Sequence, residues 1–186
     1  QARTGIADHR PLALLLHDSQ LAREQILNAT RRQFQEGDVQ HWWLPRTGAG
    51  VRTIISDDVV WLAYAVHRYI RVTGDDSILT EQVPYIEGDP LEPGQHDAFF
   101  TPEVSQKTAS VYEHCVRALD LAVQRTSANG LPLILGGDWN DGMNRVGEEG
   151  KGESVWLGWF LLKTLGNFAA IAKAQGDAKR AKAWEK

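Results

Sequence analysis

Gly137-Asp138-Trp139-Asn140-Asp141-Gly142-Met143-Asn144 brings two carboxylates, an indole and two amides into one short stretch. The apolar run Leu131-Pro132-Leu133-Ile134-Leu135, readable as a brief extended piece, leads into it, and a long amphipathic segment follows from Ser154. Asp, Asn and Gly favour turns for local reasons, so one reading of the octet is a polar turn between two elements. The central Trp139 favours another, because an indole displayed in a loop offers a flat face to a ring-shaped ligand. A sugar-cleaving site uses that mixture: an aromatic platform, amides for hydroxyl groups and a carboxylic acid to protonate a glycosidic oxygen.

Outward from the octet, the pattern is of helices separated by long loops. Ser19 opens a helix running to about Gln35, with Ala22, Ile26, Ala29 and Phe34 on one side and Gly37 as the stop. Ser56-Asp57-Asp58 starts a second, over Val59 to Val72, apolar on nearly all sides through Trp61, Leu62, Tyr64, Val66 and Ile70, as an inner helix would be. A short helix spans Ser77 to Gln82. Residues 87–106, with Gly88, Pro90, Pro93, Gly94 and Pro102, read as a long ordered loop. Thr108 to Arg125 carries the stripe Val111, Cys115, Ala118, Leu119 and Ala122, and Asn129-Gly130 turns the chain toward the octet. The last long helix covers Ser154 to Ala174, and another begins near Asp177. Five or six helices and no convincing strand give an all-α expectation, with paired helices around a pocket built by loops.

Composition narrows the function. The chain has 186 residues, 42% hydrophobic and 24% charged, within the globular norm. A net charge of −4 and an isoelectric point near 5.9 offer no basic stripe, which argues against a nucleic-acid partner. Seven Trp suit carbohydrate binding. The single cysteine, Cys115, excludes an internal disulfide and reads as a small buried residue. His41 stands alone, with no metal-ligand spacing around it, so no metal or cofactor is expected. His114 reads as a buried, satisfied histidine. No apolar run approaches the ~20 residues of a membrane span. The start at Gln1 and the end at Lys186 within a helical pattern lead us to expect a piece of a longer polypeptide.

The octet resembles the catalytic signature of the inverting β-glucoside phosphorylases, the cellobiose and chitobiose phosphorylase family (glycoside hydrolase family 94). Three segments agree in order and spacing: Glu36-Gly37-Asp38-Val39-Gln40-His41-Trp42-Trp43; Gly50-Val51-Arg52-Thr53 with Ser56-Asp57-Asp58 and Trp61-Leu62; and Tyr112-Glu113-His114-Cys115. The string from Glu36 to Asp58 is most similar to the C-terminal phosphorylase-like region of cyclic β-1,2-glucan synthases, very large bacterial inner-membrane enzymes. The resemblance covers about residues 12–186. It implies one catalytic domain with an (α/α)6 barrel fold, of which this chain would form about half. It implies Asp141 as general acid, Trp139 against the sugar at the cleavage point, and Arg52, Asp57 and Asp58 lining the sugar pocket. Inorganic phosphate would be co-substrate and a β-glucan the partner. The family's Gly-aromatic-Arg-Asp motif is altered here to Gly5-Ile6-Ala7-Asp8-His9-Arg10. Its phosphate-binding His and Thr-Gly segments belong to the later half of the barrel, so this fragment alone is not expected to perform phosphorolysis.

An inverting phosphorylase requires one catalytic carboxyl, because phosphate is already an anionic nucleophile. That acid must be protonated when it meets the glycosidic oxygen, through burial or a neighbouring carboxylate. Asp138, three positions before Asp141, is placed either for that like-charge pressure or for capping the turn, and the cap is the favoured reading. A hydrolase would need a second carboxylate about 6.5–9.5 Å away, and Asp57, Asp58 and Glu113 are the candidates. Asn140 is placed to meet hydroxyl groups. Of Trp42 and Trp43, which face opposite ways on an extended segment, one would stack on sugar and the other fill the core. A free-standing oligoglucan, cellobiose or chitobiose phosphorylase, a non-catalytic glucan-binding domain and a purely structural helical scaffold are the alternatives.

Overall fold

The computed structural model describes the backbone at residues 4–5 and 10 and the chain in full over residues 11–185. Helices and strands alternate: β1 (Thr4–Gly5), α1 (Arg10–Leu14), α2 (Ser19–Thr30), β2 (Gln40–Trp43), β3 (Gly50–Thr53), α3 (Asp58–Thr73), β4 (Gln82–Glu87), β5 (Asp97–Phe100), β6 (Glu103–Ser110), α4 (Val111–Gln124), α5 (Val155–Ala174) and α6 (Ala178–Trp184). Single 3-10 turns occupy Ser77–Thr80 and Asp141–Val146. Helix α3 lies at the centre, packed by α2, α4 and α5, and α6 packs on α5. Their facing side chains make one core: Ala22 and Ile26 from α2, Val59, Val60, Leu62, Ala63 and Val66 from α3, Val111, Cys115, Ala118 and Leu119 from α4, and Leu157, Leu161 and Phe168 from α5. Each large apolar side chain fully withdrawn from water contributes roughly 1.5–3 kcal/mol. The apolar stripe expected of α4, Cys115 included, is buried as read.

The expectation of a chain without strands does not hold. An antiparallel sheet in the order β1-β2-β3-β5 lies beside the helices, and β4 pairs with β6 in a second. Residues 87–106, read as loop, supply β5 and the start of β6. The prolines misled: Pro90, Pro93 and Pro102 fall between strands, while Pro84 sits in β4 beside a register shift at Pro84/Ile86, where its missing N–H is tolerated. Strand β6, Glu-Val-Ser-Gln-Lys-Thr-Ala-Ser, buries only Ser105 fully and so carries no apolar alternation. Helix α2 also differs from expectation. Asp18, not Ser19, caps it by accepting from the N–H groups of Gln20 and Leu21 (3.0 and 3.1 Å), and it ends at Thr30 rather than Gln35.

Helix α5 corrects the reading of membrane length. Its 20 residues are long and apolar enough to cross a bilayer by length and composition, with a mean hydropathy of 1.3, although a third of that stretch is buried in this fold. Its remaining flank exposes Val155, Trp156, Trp159 and Leu162. The altered stretch at Gly5 to Arg10 falls mostly outside the described residues, Asp8 included.

Candidate active site

The octet is pinned from both sides. Ser56, just before α3, donates from its N–H (2.8 Å) and its hydroxyl (2.9 Å) to the Gly137 carbonyl. Its hydroxyl thus ties the loop to α3 instead of capping the helix, whose N-cap is Asp57 without a side-chain cap bond. Asp138 is buried and accepts from the Asn140 N–H (3.0 Å) and the Ser154 hydroxyl (2.5 Å). It therefore does what a turn cap does, as its sequence context indicates. Asn140 uses its side-chain oxygen on the Gly142 N–H at 3.1 Å, capping the 3-10 turn that begins at Asp141. Leu135 enters the loop at φ 50°, a left-handed conformation that costs a branched residue of order 1–3 kcal/mol. Gly147 packs against that kink so closely that a Cβ there would lie 1.9 Å from the Leu135 carbonyl oxygen.

Asp141 stands at the start of that turn with its side chain 62% exposed, and His41 Nε2 lies 3.5 Å from its Oδ2. The other ring nitrogen of His41 is bonded to Asp58, 3.0 Å from Oδ1. A register shift in the β2–β3 pairing explains how His41 gets there. Gln40 pairs with Arg52 and Trp42 with Val51, so His41 is the extra residue of a bulge, and a bulge re-aims its side chain. Asp58 is buried and also accepts from the Thr53 hydroxyl at 3.2 Å. Burial pushes its carboxyl up, against the bond from His41. Burial works against a charge on His41 as well, but the bond and charge of Asp58, with the charges of Asp141 and Asp57, raise the imidazole to about 9. Asp57 is raised to about 7, by burial first and the neighbouring Asp58 second, although the Trp61 indole donates to it at 2.8 Å.

An aromatic wall runs from this cluster. Trp139 is 55% exposed. Its ring centroid lies 5.9 Å from Trp61 and 6.2 Å from Trp156, and Phe160 packs against Trp61 at 4.5 Å. The octet, α3 and α5 thus each lend an aromatic to one surface beside Asp141.

The other candidates are placed differently. Arg52 is 2% exposed, and its five N–H donors are matched by five acceptors: both oxygens of Asp38 (2.6 and 2.7 Å), Glu36 (3.1 Å), and the Gly88 and Asp89 carbonyls (3.1 Å each). Trp43 fills the core, while Trp42 is half-buried with its ring 5.7 Å from Phe99. Glu113, in the first turn of α4, lines a separate cleft with Glu36, Arg117, Asp120 and Arg180. His114 is fully buried between the Gln33 side chain (2.7 Å) and the Val83 carbonyl (3.0 Å), and burial lowers it to about 4. Sequence reasoning missed His41, Ser56 and Trp156. A bulge and a loop clamp leave no periodic signal.

This constellation of an exposed carboxyl, a buried carboxylate pair and an aromatic wall is accompanied by a family match. Residues 7–186 match the glycosyl hydrolase 94 superfamily, catalytic domain, and the chain belongs to that family. It is 66% identical over 175 residues to the cyclic beta-(1,2)-glucan synthase NdvB of Rhizobium meliloti (strain 1021), covering 94% of this chain and 6% of that protein. It is 33% identical to the solabiose phosphorylase of Paenibacillus borealis, over 82% of this chain and 17% of that enzyme. To the cellobionic acid phosphorylase of Neurospora crassa it is 31% identical, over 88% of this chain and 19% of the relative. The chain thus spans less than a fifth of each of these three relatives.

Proposed function

We propose that this chain is part of an (α/α)6 catalytic domain that cleaves β-1,2-glucan by inverting phosphorolysis inside a cyclic β-1,2-glucan synthase, anchored at a bacterial inner membrane by the rest of the polypeptide. A phosphate oxygen attacks the anomeric carbon, the bond to the glycosidic oxygen breaks, and Asp141 passes its proton to that oxygen. The products are glucose 1-phosphate of inverted configuration and a glucan one unit shorter, which makes the reaction a control on chain length. Trp139 and its aromatic neighbours offer the sugar a stacking face.

The observation that carries the reading is the identity to the glucan synthase, 66% across nearly the whole chain. The placing of the rival carboxylates supports phosphorolysis over hydrolysis: Glu113 lines a separate cleft, and the other two are buried. A base that activates water must reach it, yet Asp57 and Asp58 are each 2% exposed, with oxygens engaged by Trp61, Thr53 and His41. Asp57, raised to about 7, is also half-protonated at neutral pH.

The test uses the intact protein with linear β-1,2-glucan and phosphate, as wild type and as Asp141→Asn. Phosphate-dependent release of glucose 1-phosphate that falls by roughly 100-fold or more in the variant is expected. Release of free sugar without phosphate overturns the reading in favour of a hydrolase. Glucan binding without either product leaves a grip for polymer in place of a catalyst.

A further inference from the structure

We propose that His41 is the positioning residue of the acid: clamped on Asp58 by one ring nitrogen, it fixes Asp141 with the other and supplies the positive charge beside which that carboxyl ends ionised. This rests on the phosphorolytic reading of Asp141. The need for such a residue follows from exposure. A carboxyl 62% exposed on a short 3-10 turn has rotamers to choose from, and a misplacement of 1 Å can cost on the order of 100-fold in rate. Among the described residues, His41 is the cationic side chain within ion-pair distance of Asp141, at 3.5 Å.

Three features place His41 there. The bulge in β2 takes it out of the strand pairing and turns it toward α3. Asp58, buried and bonded to Thr53, holds its Nδ1 side. The ring keeps its proton in this setting, since its pKa is raised to about 9. Among the described residues, few charged groups bear on the pair. Asp57 and Asp58 act from the start of α3, Asp138 acts on Asp57 from the octet, and Arg125, at the end of α4, acts on Asp58 and is itself opposed by Arg52.

The chemistry balances without moving the imidazole proton. Asp141 gives its proton to the leaving oxygen and becomes a carboxylate, and the imidazolium next to it stays charged throughout. A fixed positive charge at this distance favours the ionised product. Removing the imidazole has two signatures. The rate on glucan falls, because the acid is less well placed. The loss is confined to leaving groups that need a proton, so an aryl β-glucoside whose phenolate departs as an anion is spared.

The experiment measures phosphorolysis by the intact wild type, Asp141→Asn, His41→Gln and Asp58→Asn on two substrates: linear β-1,2-glucan, and an aryl β-glucoside whose phenolate leaves without a proton. We expect His41→Gln to lose roughly tenfold or more on glucan and to stay near wild type on the aryl glucoside, with Asp58→Asn following the same pattern. If wild type releases no glucose 1-phosphate from glucan, the phosphorolytic reading falls and this inference with it. If wild type is active and Asp141→Asn is not, a His41→Gln variant that keeps its rate on glucan, or loses equally on both substrates, overturns the inference alone.

Discussion

Two clusters of buried charge flank the β2–β3 pair, and they are finished to different degrees. On one side Arg52 stacks 3.9 Å over Phe34 and meets Asp38, Glu36 and two carbonyls, so that each guanidinium donor has its acceptor. On the other, three carboxylates (Asp57, Asp58 and Asp141) share one imidazole, and the last of them faces solvent. A sated network defines shape. One that is short of positive charge keeps protons at neutral pH, as Asp57 and His41 both do. The difference separates a structural ion pair from the cluster we propose for proton transfer, although both draw on carboxylates and a base in neighbouring segments.

The largest expected effect comes from breaking the finished cluster. Arg52→Leu leaves Asp38 buried without its partner and should cost about 3–5 kcal/mol in urea unfolding. Arg52→Leu with Asp38→Leu should recover much of that, because two apolar side chains replace a desolvated pair. A cost under about 1 kcal/mol for the single variant would show that the cluster is looser than its geometry, and would reopen Arg52 as a group that meets sugar.

The unfinished cluster predicts the opposite sign. Asp57 is raised from 3.8 to about 7 in the folded chain, so folding binds a proton between those values and stability falls as pH rises through them. Asp57→Asn should therefore stabilise the chain by up to about 4 kcal/mol at pH 8 and leave it unchanged near pH 3. His41 titrates in the other direction. Raised from 6.5 to about 9, its contribution is whole below 6.5 and is lost as pH climbs through 9. His41→Gln should flatten the stability profile across that window by about 3 kcal/mol at most. Thermal melts at pH 3, 6, 8 and 10 read both, and a profile that steepens in either variant contradicts the assignment.

How far the sequence reveals this arrangement differs between the parts. Helices α3, α4 and α5 are legible because their buried residues recur with helical spacing. The sheets are hidden. Strand β6 has no apolar alternation, and β2 is broken by the bulge that aims His41. The candidate acid and its Trp were readable as a motif in one stretch. The partners that orient them were not, since His41, Ser56 and Ser154 come from three other segments, and contacts across such separations depend on the fold. Arg52 shows the converse: a match in sequence found an important residue, and the structure supplies a reason for it in Asp38 and Glu36.

The smallest effect tests whether the octet owes its shape to itself. Ser154 donates to Asp138 at 2.5 Å and accepts from the Leu157 N–H at 3.0 Å, so one hydroxyl both caps α5 and closes the turn that presents Trp139 and Asp141. Ser154→Ala should cost about 1 kcal/mol as a lost helix cap. If the hydroxyl served only α5, phosphorolysis by the intact protein would hardly change. If it also holds Asp138, the Asn140 N–H keeps its acceptor but the turn loosens around it, and kcat should fall severalfold while glucan affinity changes little. Ser154→Thr keeps the hydroxyl, so it should restore both stability and kcat. A variant that loses stability without losing kcat would show that the octet stands on the Ser56 clamp alone.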